Sequence, residues 1–348
     1  DWTASSSNGK KRELWLNKLD EVTGDLWQVV MGPISTLLKA RLANAIYSQQ
    51  ENTVPQVILL PTGLLSILPL HVAYTYTEKP DRHYFIDDFA VSFAPSARIL
   101  QHCRKQKDTI SAQNLDRLLA IDEPKPTTSG ELPNSRSEVA AIADLFKNRM
   151  ILRNQEATKS AVLDYLPQCQ VVHFSCHGFS EWFDALESGL LMANNEKLTV
   201  RDLYDQKGLD LRMVTLSACE TGVVGQSLPD EVVMLPTALI QAGCAGVVAS
   251  LWSVADVSTA MLMARFYDLW QSDGVEPVHA LRQAQMWMRN TTNREKRLYY
   301  KEIWDGKPST EVSKTTARDF FYQIGKLGGQ GHDLRHPFWW AAFYLTGV

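Results

Sequence analysis

Val171-Val172-His173-Phe174-Ser175-Cys176-His177-Gly178 and Leu211-Arg212-Met213-Val214-Thr215-Leu216-Ser217-Ala218-Cys219-Glu220-Thr221-Gly222 carry the same pattern at two places in the chain. Each is an apolar run of strand length that gives way to small residues and a glycine, the pattern of a short buried strand entering a tight turn. His177 and Cys219 stand 42 positions apart. That distance has room for a crossover connection, so the two strands can be parallel neighbours. Parallel neighbours end on the same edge of a sheet, where α/β proteins keep their sites. An imidazole and a thiol then meet on that edge, an arrangement that suits a cysteine nucleophile with a histidine base.

Strand alternation puts His173, Ser175 and His177 on one face, so His173 competes for the role of base. The glycine after His177 and its place at the strand end favour His177, and His173 is expected to pack beneath it, hydrogen-bonded. Cys176 reads as a small buried hydrophobe. A metal held by His173, Cys176, His177 and Cys219 is not expected, because the spacing is not a pair of ligand pairs and adjacent strand residues point apart. No cofactor is expected either. A turn at Cys219 exposes its own backbone N–H, which can stabilise an oxyanion. Asp230 and Glu231, beside that turn, are weaker candidates for a role in the site.

Residues 115–121 read as the first strand of this region, 135–146 as a helix burying Val139, Ile142, Ala143 and Phe146, and Thr158 as an N-cap. Segment 181–204 supplies the crossover. Residues 232–242 read as an apolar helix and 246–252 as a third buried strand, whose exit carries Asp256. Helices follow at 257–271 and 276–290, the second with Pro277 at its first position. Residues 290–332 read as a charged, irregular excursion, and 338–345 as a closing strand. Strands alternating with helices predict an α/β fold with a largely parallel sheet. Toward the start, 11–44 shows helical spacing at Leu14, Leu16, Leu19, Val22, Leu26 and Val29, interrupted at Gly32-Pro33. A strand is expected at 56–60 and another at 85–93, then a helix capped by Ser96. Residues 1–10 read as a linker, and the polar run 106–114 marks a boundary that divides 11–112 from 113–348.

The chain has 348 residues, 45% of them hydrophobic and 21% charged, with a net charge of −4. That is a globular balance, without the basic excess that nucleic acid requires and without an apolar run of membrane-spanning length. The five cysteines (103, 169, 176, 219 and 244) are odd in number and sit in strand- and helix-like runs. They fit a reduced, cytoplasmic protein better than a disulfide scaffold. No phosphate-binding glycine motif is present, which ranks a nucleotide-binding domain low.

His-Phe-Ser-Cys-His-Gly at 173–178, Leu-Ser-Ala-Cys-Glu-Thr-Gly at 216–222, Ala-Ser-Leu-Trp-Ser-Val-Ala-Asp at 249–256 and His-Pro-Phe-Trp-Trp-Ala-Ala-Phe at 336–343, in that order, resemble the CHAT domain. CHAT domains are caspase-like relatives of separases and gingipains. The resemblance implies a caspase-like sandwich with a central sheet flanked by helices, preceded at 11–112 by a degenerate caspase-like subdomain. It implies a cysteine endopeptidase with His177 and Cys219 as dyad and with Gly178 and Cys219 N–H groups as oxyanion hole. It further implies a protein substrate, a role in bacterial defence or signalling, and a regulatory helical-repeat region ahead of this chain. Glutamine does not precede Ala218, so the aspartate specificity of caspases is not implied. In separase-like relatives an acid near Asp256 binds the residue before the cut, which would select Arg or Lys. Those relatives carry Asp directly after the tryptophan, where this chain has Ser253, and Asp256 equally suits an N-cap for the next helix. The alternative to an enzyme is a catalytically silent CHAT fold that binds protein partners.

Overall fold

The computed structural model describes residues 6–48, 54–78, 81–110, 115–179, 181, 184–217, 235–252, 257–328 and 334–348. The chain forms two compact units, one of residues 1–58 and 68–91, the other of residues 59–67 and 92–348.

In the first unit, α1 (Ser6–Leu26) continues through a five-residue π turn, Trp27–Met31, into α2 (Gly32–Ser48). Helix therefore begins inside the segment read as a linker, and Gly32-Pro33 does not break it. The wide turn sends the Gly32 N–H to the Trp27 carbonyl, five residues back, and so absorbs a proline that an α-helix interior rejects. Leu19, Thr23, Leu26 and Met31 are buried, whereas Leu14 and Val29 are 70% and 76% exposed. The buried stripe is thus narrower than the apolar spacing suggested. The strand β1 (Gln56–Leu59) and the hairpin β2 (Tyr74–Tyr76) and β3 (Arg82–Tyr84) follow. Arg82 ties the hairpin to α1 through bonds of 2.5 and 2.7 Å to the Asp20 carboxylate, while lying over the Tyr74 ring. The strand expected at 85–93 is split. Phe85–Asp88 is a helical turn, α3, and only Ala90–Phe93 is a strand, β4. The cause is local: the Asp87 carboxylate accepts the Tyr84 N–H at 2.8 Å and holds the chain in a cap.

The second unit opens with α4 (Ala97–Thr109), whose first turn is capped by the Ser96 hydroxyl accepting from the Ile99 N–H at 3.2 Å. This helix, read from sequence as part of the first segment, belongs to the second unit. Then come β5 (Arg117–Asp122), α5 (Ser135–Ala143), β6 (Asn148–Arg153), α6 (Lys159–Tyr165) and β7 (Val171–Ser175). The crossover is more than a connector. It holds β8 (His177–Phe179), β9 (Gly189–Leu191) and β10 (Lys197–Thr199), a small antiparallel sheet, and then α7 (Val200–Asp205). After β11 (Met213–Ser217) come α8 (Leu235–Ala242), β12 (Gly246–Ser250), α9 (Val257–Gln271), α10 (Pro277–Asn290), α11 (Asn293–Asp305), α12 (Lys314–Gly328) and β13 (Phe343–Gly347).

Within the second unit the sheet has the order β13-β12-β11-β7-β5-β6. From β6 to β12 the strands run parallel, and β13 runs against β12. α5 and α9 cover the face that His173 and Thr215 present, since Glu138 of α5 bonds His173 and the Tyr267 hydroxyl of α9 donates to Thr215 Oγ1 at 2.9 Å. Every residue of β7 and β12 is buried, as the unbroken apolar runs required.

The excursion expected at 290–332 is instead the helical pair α11 and α12. A Thr-x-x-Glu capping box starts α11: the Glu295 carboxylate accepts the Thr292 N–H at 2.6 Å and the Thr292 hydroxyl accepts the Glu295 N–H at 3.2 Å. Tyr300, Ile303, Phe320 and Ile324 form its buried seam. Charged residues hid the pattern because two of them, Lys296 and Glu311, are themselves buried and hydrogen-bonded.

Candidate active site

β7 and β11 are direct parallel neighbours, with Ser175 opposite Ser217; Ser175 is also opposite Asp122 of β5. The ends of three strands therefore lie level in one row. Beyond that row the chain leaves β7 through the buried Cys176 and enters β8, where His177 sits opposite Leu191 and Gly178 opposite Leu190. His177 is not the last residue of the β7 strand, as the sequence suggested, but the first of a separate antiparallel one. Two residues past Ser217 the chain reaches Cys219, which lies outside the described residues, as do Asp230, Glu231 and Asp256.

His177 is half-buried, and its Nε2 lies 2.8 Å from the carbonyl oxygen of Gly130. A carbonyl only accepts, so Nε2 carries the proton. In the neutral ring Nδ1 is then the nitrogen with a lone pair. This partner was not found from the sequence. Gly130 is 47 residues away, in a loop, and a backbone carbonyl leaves no trace in residue type.

His173 does lie beneath this edge. It is fully buried, and its Nε2 is 3.1 Å from Glu138 Oε1, while the Ser175 hydroxyl donates to Glu138 Oε2 at 3.2 Å. The Tyr267 ring meets the imidazole edge-on. Glu138 went unrecognised because α5 reads as an amphipathic helix in which a glutamate is ordinarily solvent-facing. Cys103, Cys169 and Cys244 are buried free thiols, and Cys176 is buried as well. Burial pushes the thiols of Cys103 and Cys169 up to about 11 and that of Cys244 up to about 12. Among the described residues no three His, Cys, Asp or Glu side chains are grouped to hold a metal, and no helix is long and apolar enough to cross a membrane.

A mostly parallel sheet flanked by helices, with a histidine just past the end of one inner strand, is the caspase-like class of α/β fold. The family profile described as CHAT domain matches residues 20–348, and the chain belongs to that family. Among solved structures, the chain is similar to separase in the Saccharomyces cerevisiae separase–securin complex, with a TM-score of 0.51 at 11% identity, over 90% of this chain and 17% of that one. It is also similar to the Arg-specific cysteine proteinase gingipain R (TM-score 0.48, 11% identity, 74% of this chain and 63% of that one). A complex of Porphyromonas gingivalis RgpB pro- and mature domains matches with a TM-score of 0.49 at 11% identity, over 92% of this chain and 69% of that one. At such identity the likeness to separase is one of fold alone. The curated proteins include no match.

Proposed function

We propose that the chain is a cysteine endopeptidase in which His177 and Cys219 form the reacting pair. The observation that carries this reading is the register of β7 against β11, level at Ser175 and Ser217, with His177 and Cys219 each two residues further on. Membership of the CHAT family supports it. His177 Nδ1 takes the thiol proton as Cys219 Sγ attacks a peptide carbonyl. The N–H groups of Gly178 and Cys219 stabilise the tetrahedral oxyanion. The imidazolium gives its proton to the leaving amine, the C–N bond breaks, and water then hydrolyses the thioester with His177 again as base. The substrate is a protein, and the setting is regulated bacterial defence or signalling. The carboxylate of Asp256 engages an Arg or Lys before the cut.

The test is cleavage of a peptide library by wild type, Cys219→Ala and Cys176→Ala. Cys219→Ala should lose all cleavage and Cys176→Ala should keep most of it. Folded Cys219→Ala that cuts at the wild-type rate would falsify the reading. Asp256→Ala should raise the barrier for basic substrates by on the order of 2–4 kcal/mol. If it acts only as a helix cap, the profile stays and stability falls by about 1 kcal/mol.

A further inference from the structure

We propose that the loop of residues 123–134, between β5 and α5, is a clamp that orients His177, with Asp122, Ser135 and Asn195 as positioning residues. The inference rests on the cysteine-peptidase reading of His177, and it concerns what holds the Gly130 carbonyl in place.

Gly130 cannot hold itself. A side chain added there would meet nothing within 4 Å, so no packing locates it, and glycine has the least backbone restraint of any residue. Hydrogen bonds on both sides locate it instead. On one side the Thr128 N–H donates to Asn195 Oδ1 at 2.7 Å. On the other the Leu132 N–H donates to Glu123 Oε1 at 2.6 Å. Gly130 lies midway between these pins, and its carbonyl oxygen points at His177 Nε2.

The two stems of the loop converge on one residue of β7. At the start, the Glu123 N–H donates to the Ser175 carbonyl at 3.0 Å. At the end, the Ser135 hydroxyl lies 2.9 Å from Asp122 Oδ1 and 3.4 Å from the same Ser175 carbonyl. With one proton to give, that hydroxyl bonds chiefly to the carboxylate and leans on the carbonyl. Asp122 is 3% exposed, and its other oxygen accepts from Arg153 Nε at 3.1 Å. Ser175 stands two residues before His177. The loop thus leaves and rejoins the structure at the strand end that launches His177, and it touches the imidazole from its midpoint. A closed ring of this kind transmits a displacement of either stem to the Gly130 oxygen. A buried carboxylate and hydroxyl placed at its junction must be fully partnered to persist.

A positioning role predicts a change in the imidazole itself. The readout is the ¹⁵N spectrum of the histidine-labelled full chain, with His177 assigned by His177→Gln, together with kcat and KM on the best library peptide. In wild type, His177 should show Nε2 protonated and Nδ1 bare when neutral. Ser135→Ala and Asn195→Ala should each give a mixture of the two tautomers. Each should lower kcat roughly 10- to 100-fold with KM within about twofold, the scale expected for a displaced catalytic group. Ser135→Thr keeps the hydroxyl and should restore both readouts. Asn195 is on the surface, so Asn195→Ala stands alone should Ser135→Ala not fold. Folded variants with the wild-type tautomer and wild-type kcat overturn the proposal, even if their Tm falls. If wild type cleaves nothing, the peptidase reading fails, while the tautomer measurement, which needs no substrate, still decides the clamp.

Discussion

Glu138, under the strand ends, and Glu311, among the rear helices, are both buried carboxylates, at 4% and 1% exposure, but their surroundings differ. Glu311 accepts from Arg265 Nη1 and the Tyr299 hydroxyl at 2.8 Å each, and from the Tyr300 hydroxyl at 2.9 Å. The guanidinium in turn lies over the Trp287 ring, 5.0 Å from its centroid. Charge and lone pairs are both answered, so the cluster joins α9 to α11 as a sealed unit. Among the described residues Glu138 bonds an imidazole and a hydroxyl, and the far nitrogen of that imidazole, His173 Nδ1, is buried without a hydrogen-bond partner. The same side chain joins two helices in one region and, in the other, holds the strand that ends two residues before His177.

Sulfur offers the largest contrast between site and core. At neutral pH an alkylating reagent should label Cys219 faster than Cys103, Cys169 or Cys244 by at least on the order of a hundredfold, because only the thiolate reacts. The sign follows from burial: thiols pushed up to about 11 and about 12 hold almost no thiolate at pH 7, and they should label only in strong base or on unfolding. Peptide mapping after brief iodoacetamide treatment reads this directly. Equal labelling of Cys219 and Cys169 in folded protein would remove the distinction.

Next in size is Glu311→Ala, which leaves the largely buried Arg265 guanidinium without its carboxylate. Urea unfolding should show a loss of about 3–5 kcal/mol. The fraction that remains folded should cleave peptides at the wild-type rate. Glu138→Gln should do the reverse, costing only about 1–2 kcal/mol of stability because the shape and one acceptor survive. Its kcat should nonetheless fall about tenfold, since Ser175 and His173 set the strand end that launches His177. If Glu138→Gln destabilises more than Glu311→Ala and spares kcat, the two carboxylates have exchanged roles and the contrast is wrong. Thr292→Ala is the mildest change. It removes half of the box that starts α11 and should cost about 1 kcal/mol, measured as a small drop in Tm, with activity unmoved.

Much of the framework was legible in the sequence because it depends on short-range rules. Unbroken apolar runs gave β7, β11 and β12, and the caps at Ser96 and Thr158 and the proline at Pro277 marked helix starts where the structure has them. The capping box at Thr292 was equally legible, yet the charged stretch after it was read as irregular, because Lys296 and Glu311 belong to a buried interior that composition assigns to solvent. At 85–93 alternation pointed to one strand, and a single aspartate capping its own backbone overrode it.

What the sequence determined by itself is the α/β succession, the parallel pairing of the strands before His177 and Cys219, and four motifs that mark the CHAT family. Periodicity and local hydrogen bonding act within a few residues, so a single chain displays them. Tertiary structure alone decided that Asp122, Ser175 and Ser217 stand in one row, that His177 opens a strand of its own, and that its Nε2 meets the Gly130 carbonyl. It alone gave His173 its carboxylate from α5. Those partners come from segments tens of residues apart, and a backbone oxygen or a buried glutamate acquires its role only when packing brings a donor to it and excludes the water that would otherwise compete.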